Sequence, residues 1–197
     1  MAKRQGKPNK KALPGRLRIV AGNWRSRLLQ IADVPGLRPT SERIRETLFN
    51  WLALRIHGAR CLDLFAGTGA LGLEALSRGA ASVVFVDNSA QSIKTLRQNA
   101  DSLQANNLSI IKADARKFLV QASQDPFDIV FVDPPYAMNA LGEVCDLLAA
   151  SGLLRDNALL YLEDDGKRAW PDMPPGWTIN REGKAGNVRY ALVSTNS

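Results

Sequence analysis

The chain is 197 residues long, 45% apolar, and carries a formal net charge of +7, which gives room for one domain with a real core and a small appendage. No apolar run approaches the ~18 residues of a membrane span, and the basic amino terminus leads into no apolar segment of a secretory signal. Two distant cysteines and one histidine cannot supply a four-ligand zinc site, so no metal is expected; a monomeric, soluble protein of a reducing, cytoplasmic compartment fits best.

The charge is unevenly placed. Residues 1–32 hold nine Lys or Arg and no acid, whereas the rest of the chain holds 17 basic against 19 acidic residues. A basic arm of this kind suits a polyanion, with nucleic acid the obvious one; the alternative is a solvated tail that only aids solubility. Residues 1–15 are rich in Lys, Pro and Gly and read as a disordered tail. Two short strands follow, Arg16–Val20 and Arg27–Ile31, joined by a turn in which Gly22 and Asn23 tolerate positive φ. Arg18, Arg25 and Arg27 surround Trp24, a combination that holds RNA backbone and stacks bases. Trp24 serves equally well as an apolar plug under the hairpin.

Leu37-Arg38-Pro39-Thr40 leads into a helix with Thr40 as N-cap and Glu42 in the first turn. Ile44, Leu48 and Leu52 form its buried stripe, and Arg43, Arg45 and Glu46 lie off it. From Arg60 onward strands and helices alternate: strands at 61–65, 82–86, 108–111, 127–132 and 159–162, and helices at 70–77, 89–103, 115–121 and 141–150. Two last strands, 177–180 and 188–193, meet at a Gly-rich turn over 183–186. The expected fold is α/β: a doubly wound, Rossmann-like, mostly parallel sheet with an antiparallel carboxyl-terminal strand pair, preceded by a β-hairpin and helix. His57, near the end of the linking helix, reads as a surface or capping residue.

The first strand of the alternating region runs into Asp63-Leu64-Phe65-Ala66-Gly67-Thr68-Gly69. Gly67, Gly69 and Gly72 match the dinucleotide fingerprint, with Asp87 about twenty residues on, so a nicotinamide cofactor and S-adenosylmethionine both come into view. Asp63 tips the balance, since a carboxylate before the glycine turn repels a pyrophosphate and suits ammonium and sulfonium charges. Asp87 is placed to accept from ribose hydroxyls, and Asp114 from an adenine amino group or from the backbone of the helix it opens. Asp133 ends the apolar strand 127–132 and begins Asp133-Pro134-Pro135-Tyr136. The two prolines stop the strand and stiffen the loop. The loop offers a carboxylate, a free carbonyl and an aromatic face, a set suited to a flat base bearing an amino group. Four successive strands thus end in an acid, which places four carboxylates on one edge.

Asp63-x-Phe65-x-Gly67-x-Gly69 together with Asp133-Pro134-Pro135-Tyr136 resembles the class I S-adenosylmethionine-dependent methyltransferases that modify exocyclic amines of nucleobases. Residues 18–25, 37–40 and 45–52 (Arg-Glu-Thr-Leu-Phe-Asn-Trp-Leu in the last) resemble the RsmD family of bacterial 16S ribosomal RNA guanine-N2 methyltransferases. Members often have glycine where Ala21 and Ser26 stand. The likeness spans about residues 16–193 and divides the chain into a tail (1–15), a basic hairpin with linking helix (16–58) and a methyltransferase domain (59–197). It implies S-adenosylmethionine as cofactor, held by Asp63, Phe65, Ala66, Gly67, Gly69, Asp87, Asn88, Asp114, Ala115 and Asp133. Asp133, Pro134 and Tyr136 would be catalytic. Arg18, Trp24, Arg25, Arg27, Arg38 and Thr40 would meet ribosomal RNA, within a small-subunit particle. Adenine-N6 methylation remains the rival chemistry, although no target-recognition insertion of a DNA enzyme interrupts the chain. A nicotinamide-dependent oxidoreductase and a non-enzymatic RNA-binding assembly factor are more remote. Carbon-5 pyrimidine methylation is disfavoured because neither Cys61 nor Cys145 lies in a Pro-Cys loop.

Overall fold

The computed structural model describes residues 15–34, 40–121 and 123–195; the basic tail expected over residues 1–15, apart from Gly15, lies outside them, as does Arg38. The elements in chain order are β1 (Arg16–Arg18), β2 (Leu28–Gln30), α1 (Glu42–Trp51), β3 (Arg60–Asp63), α2 (Ala70–Ser77), β4 (Ser82–Asp87), α3 (Ala90–Leu103), β5 (Leu108–Lys112), α4 (Ala115–Gln121) and β6 (Phe127–Val132). After β6 come a 3-10 turn (Tyr136–Met138), α5 (Leu141–Ala150), β7 (Leu154–Asp165), β8 (Trp177–Ala185) and β9 (Val188–Thr195). β1 and β2 form a separate antiparallel pair, and the other seven strands form one sheet in the order β5-β4-β3-β6-β7-β9-β8. β5, β4, β3, β6 and β7 run parallel, while β9 is antiparallel to both β7 and β8.

The central strands are apolar at successive positions because both sheet faces are covered. Phe85, Phe131 and Tyr161 point to one face and join Ile44, Leu48, Leu73 and Leu96 from α1, α2 and α3. Their neighbours Val84, Val86, Val130, Val132, Leu160 and Leu162 point to the other and join Phe118, Leu119, Val144 and Leu148 from α4 and α5. Period-two alternation thus feeds two cores. Cys61 and Cys145 are buried packing residues. No helix among the described residues is long and apolar enough to cross a membrane.

Several local expectations need correction. The N-cap of α1 is Ser41, whose hydroxyl accepts from the Ile44 N–H at 3.3 Å; Thr40 stands one residue outside the helix. Arg45 is not on a solvated face but 0% exposed, because Glu74 and two backbone carbonyls receive its guanidinium. In the hairpin turn positive φ falls on Gly22 (84°) and Ser26 (68°), not on Asn23. Strand β7 is far longer than the expected 159–162, its polar start at Arg155, Asp156 and Asn157 disguising it. Gly183 lies inside β8, and the reversal occurs at Gly186 (φ 60°) and Asn187.

The hairpin is locked onto α2. Ser77 accepts the Trp24 N–H on its hydroxyl (3.0 Å) and the Asn23 N–H on its carbonyl (2.7 Å), and donates its hydroxyl to the Ala21 carbonyl (2.6 Å). A Cβ on Gly22 would stand 1.8 Å from the Ser77 carbonyl oxygen, so close approach demands glycine there. Glu74, buried on α2, accepts from the Val20 and Ala21 N–H groups, from Arg45 and from Arg78, at 2.8 to 3.1 Å. Asn99 of α3 completes the attachment by exchanging two hydrogen bonds with the Gln30 backbone.

Candidate active site

After β4 the chain moves outward to β5, then returns to lay β6 on the other side of β3. The carboxyl ends of β3 and β6 therefore flank the point where the winding reverses, the place where open α/β sheets leave a crevice. A cavity of about 430 Å³ occupies it. Its walls include Asp63, Asp87, Asp114 and Asp133, so the four strand-terminal acids do converge, together with Thr40, Phe65, Gly67, Asn88, Pro134 and Tyr136. Ala66 and Ala115 line it too.

Gly67 (φ 52°) and Gly69 (φ 84°) make the turn from β3 into α2, and each uses a left-handed conformation that favours glycine. Gly69 caps α2 and does not line the cavity; a Cβ there would meet Leu96 at 2.4 Å. Gly72 lets α2 pack onto the sheet, since its Cβ would stand 2.2 Å from the Phe85 ring.

Each acid has a distinct setting. Asp63 is 3% exposed and accepts the Gly72 N–H at 2.9 Å on Oδ2. Burial pushes its carboxyl up to about 7, the Gly72 N–H opposing and the Asp87 charge adding to the rise. Asp87 braces the loop: Oδ2 accepts from the Gly67 N–H and Oδ1 from the Ser89 N–H, both at 2.8 Å. Asp114 turns Oδ1 to the Arg116 and Lys117 N–H groups and so caps α4, leaving Oδ2 outside the hydrogen bonds among described residues. Asp133 accepts from the Thr40 hydroxyl at 3.1 Å on Oδ2. Burial first, then the charges of Glu163 and Asp63, hold its carboxyl well above the usual carboxylate range, with the Thr40 bond pulling the other way.

Beyond Asp133, Pro134 is buried and Pro135 exposed, and Pro135 opens the 3-10 turn that carries Tyr136. Tyr136 is half-buried, and its hydroxyl donates to Glu163 Oε1 at 2.9 Å. Glu163 is a fifth acid on the same edge, hidden from sequence reasoning because the full extent of β7 was not apparent. Pairing of a longer β7 with β6 is the signal that locates it.

The hairpin residues do not line the cavity. Arg18, Arg25 and Arg27 are exposed, and Arg27 donates to the Ser102 carbonyl at 2.6 Å. Trp24 is half-buried against the core, in the plug position. Of the six residues expected to meet RNA, only Thr40 is placed at the cavity among the described residues.

Sheet order, glycine turn and acid-lined carboxyl edge define a Rossmann-like methyltransferase domain. A family model described as conserved hypothetical protein 95 matches residues 17–194, and the chain belongs to that family, the RsmD family of the sequence resemblance. A relative from Escherichia coli K12 named ribosomal RNA small subunit methyltransferase D is 46% identical over 94% of this chain and 93% of its own length. Its Haemophilus influenzae namesake is 40% identical over 94% and 95%. Among solved structures, a putative methyltransferase from Escherichia coli superposes with a TM-score of 0.85 at 42% identity, covering 92% of this chain and 99% of that one. A putative methylase from Haemophilus influenzae gives 0.81 at 37% identity, covering 93% and 100%.

Proposed function

We propose that the protein transfers a methyl group from S-adenosylmethionine to the exocyclic N2 amine of a guanine in small-subunit ribosomal RNA. The observation that carries the reading is that Asp133, Pro134 and Tyr136 share one cavity with Asp63, Asp87 and Asp114, which joins an amine-gripping loop to a cofactor-sized acidic cleft. The names of the relatives support ribosomal RNA as the substrate class.

The residues present fit the cofactor. Asp63 is a buried carboxyl whose charged form needs a cation beside it, and an ammonium or sulfonium answers that need. Asp87 has committed one lone pair of each oxygen to backbone N–H groups and retains the others for ribose hydroxyls. Asp114 Oδ2 suits an adenine amino group while Oδ1 caps α4. Phe65, Ala66, Gly67, Asn88 and Ala115 complete the walls, and Gly69 acts by shaping the turn. The bound cofactor supplies an electrophilic methyl on a sulfonium.

An exocyclic amine of guanine is a poor nucleophile because its lone pair is delocalised into the ring. Asp133 and the Pro134 carbonyl accept its two N–H bonds, which favours a pyramidal nitrogen and directs the lone pair into the cavity. The one proton that the nitrogen sheds on methylation leaves along the hydrogen bond to the Asp133 carboxylate and so to solvent. Positioning and electrostatic stabilisation then supply the acceleration, with no covalent enzyme intermediate. Tyr136 offers its ring to a base splayed out of the RNA. Arg18, Arg25 and Arg27, with Arg38 and the basic tail, would hold the RNA backbone, and Trp24 anchors the hairpin that presents them.

The test is to incubate the protein with isotope-labelled S-adenosylmethionine and small-subunit particles from a strain lacking it, then digest the RNA and identify the labelled nucleoside. N2-methylguanosine is expected. Label in N6-methyladenosine would transfer the reading to the rival chemistry, and no label in RNA would overturn it.

A further inference from the structure

Glu163 stands near the carboxyl end of β7 and is 3% exposed. Its two oxygens receive two phenol protons, from Tyr136 at 2.9 Å and from Tyr161 at 2.6 Å. The two tyrosines differ in support. Tyr161 is fully buried in β7, which is hydrogen-bonded to β6 on one side and β9 on the other. Tyr136 stands on a three-residue 3-10 turn that ends at Asn139 in the left-handed region (φ 45°), without a strand ladder to hold it. Glu163 therefore joins the loop to a rigid post.

No cation pairs with Glu163 among the described residues, so its charge rests on hydroxyl donors alone. A carboxylate buried on such terms is costly to the fold, since an apolar side chain of similar size would avoid the desolvation. Its geometry gives the reason to keep it: two acceptors are needed to bridge two phenols, and both are used.

We propose that Glu163 is a positioning residue for methyl transfer: by tethering the Tyr136 hydroxyl to the sheet, it fixes the ring and the Asp133-Pro134-Pro135-Tyr136 loop against the target base. The proposal rests on the methyl-transfer reading above. The charge of Glu163 has a second effect, because it opposes ionisation of Asp133. The other groups facing Asp133 are Asp63 of β3, the Tyr136 and Tyr161 phenols and the Thr40 hydroxyl. Those facing Glu163 are Asp133, Tyr136, Tyr161 and Thr40, and burial raises the Glu163 carboxyl while the three hydroxyls pull it back toward the charged form. Removing the Glu163 charge thus makes Asp133 easier to ionise.

The experiment compares the full chain with Glu163→Gln, Glu163→Ala and Tyr136→Phe. Amide deuterium exchange over residues 136–140, the first amides after the two prolines, reads the tether without any reaction: exchange should rise about tenfold or more in Glu163→Ala and in Tyr136→Phe, as expected of a turn released to local opening. Methyl transfer by the wild-type chain tests the function itself, separately. Within it, kcat should fall about tenfold in Glu163→Ala, and adding Tyr136→Phe should cost little more, because the two side chains form one contact. Glu163→Gln keeps the volume and one acceptor, and guards against a fold lost with alanine. It should shift the acid limb of kcat/KM to lower pH, a change that a purely structural role would not produce. Unchanged exchange in both tether variants, multiplicative losses in the double variant, or an unmoved acid limb in Glu163→Gln would overturn the proposal.

Discussion

The Thr40 hydroxyl donates a 3.1 Å hydrogen bond to Asp133 Oδ2, linking residues 93 positions apart, and the Thr40 carbonyl in turn accepts from the buried Arg45 guanidinium at 3.2 Å. The acid at the centre of the site is thus oriented from the linker before α1, not only from its own loop. Asp133→Ala should abolish methyl transfer and leave S-adenosylmethionine affinity within about threefold, because the variant removes the amine acceptor and little of the cofactor cleft. Thr40→Val preserves shape and removes one bond to a carboxylate, worth about 1.5–3 kcal/mol, so kcat should fall about tenfold or more. Titration calorimetry and single-turnover labelling separate the two quantities.

Asp63 makes cofactor binding depend on pH. Its folded carboxyl is raised to about 7 by burial, so the folded, ligand-free protein holds a proton there that the unfolded chain releases near 4. The contribution to stability therefore diminishes as pH rises from about 4 through 7. Cation binding has the opposite sign, since it needs the ionised form. The Kd for S-adenosylmethionine should improve with rising pH up to about 7 and then level off. Asp63→Asn should bind weakly and lose that pH dependence, as calorimetry over pH 5.5–8.5 would record.

Gly72→Ala should destabilise the fold. The new Cβ would stand 2.2 Å from the Phe85 ring and 2.9 Å from Val83, in a layer where both partners are fully buried. Overpacking of this kind costs about 1–3 kcal/mol, and moving α2 away would also stretch the Gly72–Asp63 bond that shapes the cavity. Urea denaturation gives the first effect, and cofactor affinity the second.

Arg45→Ala should loosen the hairpin. Arg45 and Glu74 are both 0% exposed and 3.1 Å apart, and removing the arginine leaves Glu74 with fewer donors in the interior. Breaking a buried pair costs about 3–5 kcal/mol. Arg45 also holds the Arg18 carbonyl at 2.7 Å, so amide exchange over residues 16–30 should rise before that of the sheet.

The basic arm and hairpin should act through phosphate charge. Arg18→Ala and Arg25→Ala alter exposed side chains, and each should weaken RNA association and reduce its salt slope by about one. Truncating residues 1–15 should flatten the slope further. An unchanged slope in a filter-binding series across ionic strength would remove these residues from the RNA interface.

The alternation of strands and helices from Arg60 onward was legible because it is written locally: short apolar runs such as Val83–Val86, Ile129–Val132 and Leu159–Leu162, glycines at one turn, and an acid at or just after the end of four strands. α2, α4, α5 and β6 fall where periodicity puts them, and the convergence of Asp63, Asp87, Asp114 and Asp133 follows from parallel strands having one carboxyl edge. β7 was the element least apparent, because its first residues are polar on an exposed stretch and only pairing with β6 and β9 extends it.

What the chain determined by itself, then, is the doubly wound sheet, the acid edge and the stiff Asp133-Pro134-Pro135-Tyr136 loop at its carboxyl end, all consequences of short-range pattern. Tertiary structure alone decided the partners of the buried charges. Arg45 reads as a residue off the buried stripe of its helix until α1, α2 and the hairpin close around it and Glu74, and Glu163 stands in a run of three consecutive acids until Tyr136 and Tyr161 reach it. The reason is physical: periodicity reports how apolar area is divided between core and solvent, whereas a polar group can be buried wherever the fold happens to bring donors and acceptors within about 3 Å of it.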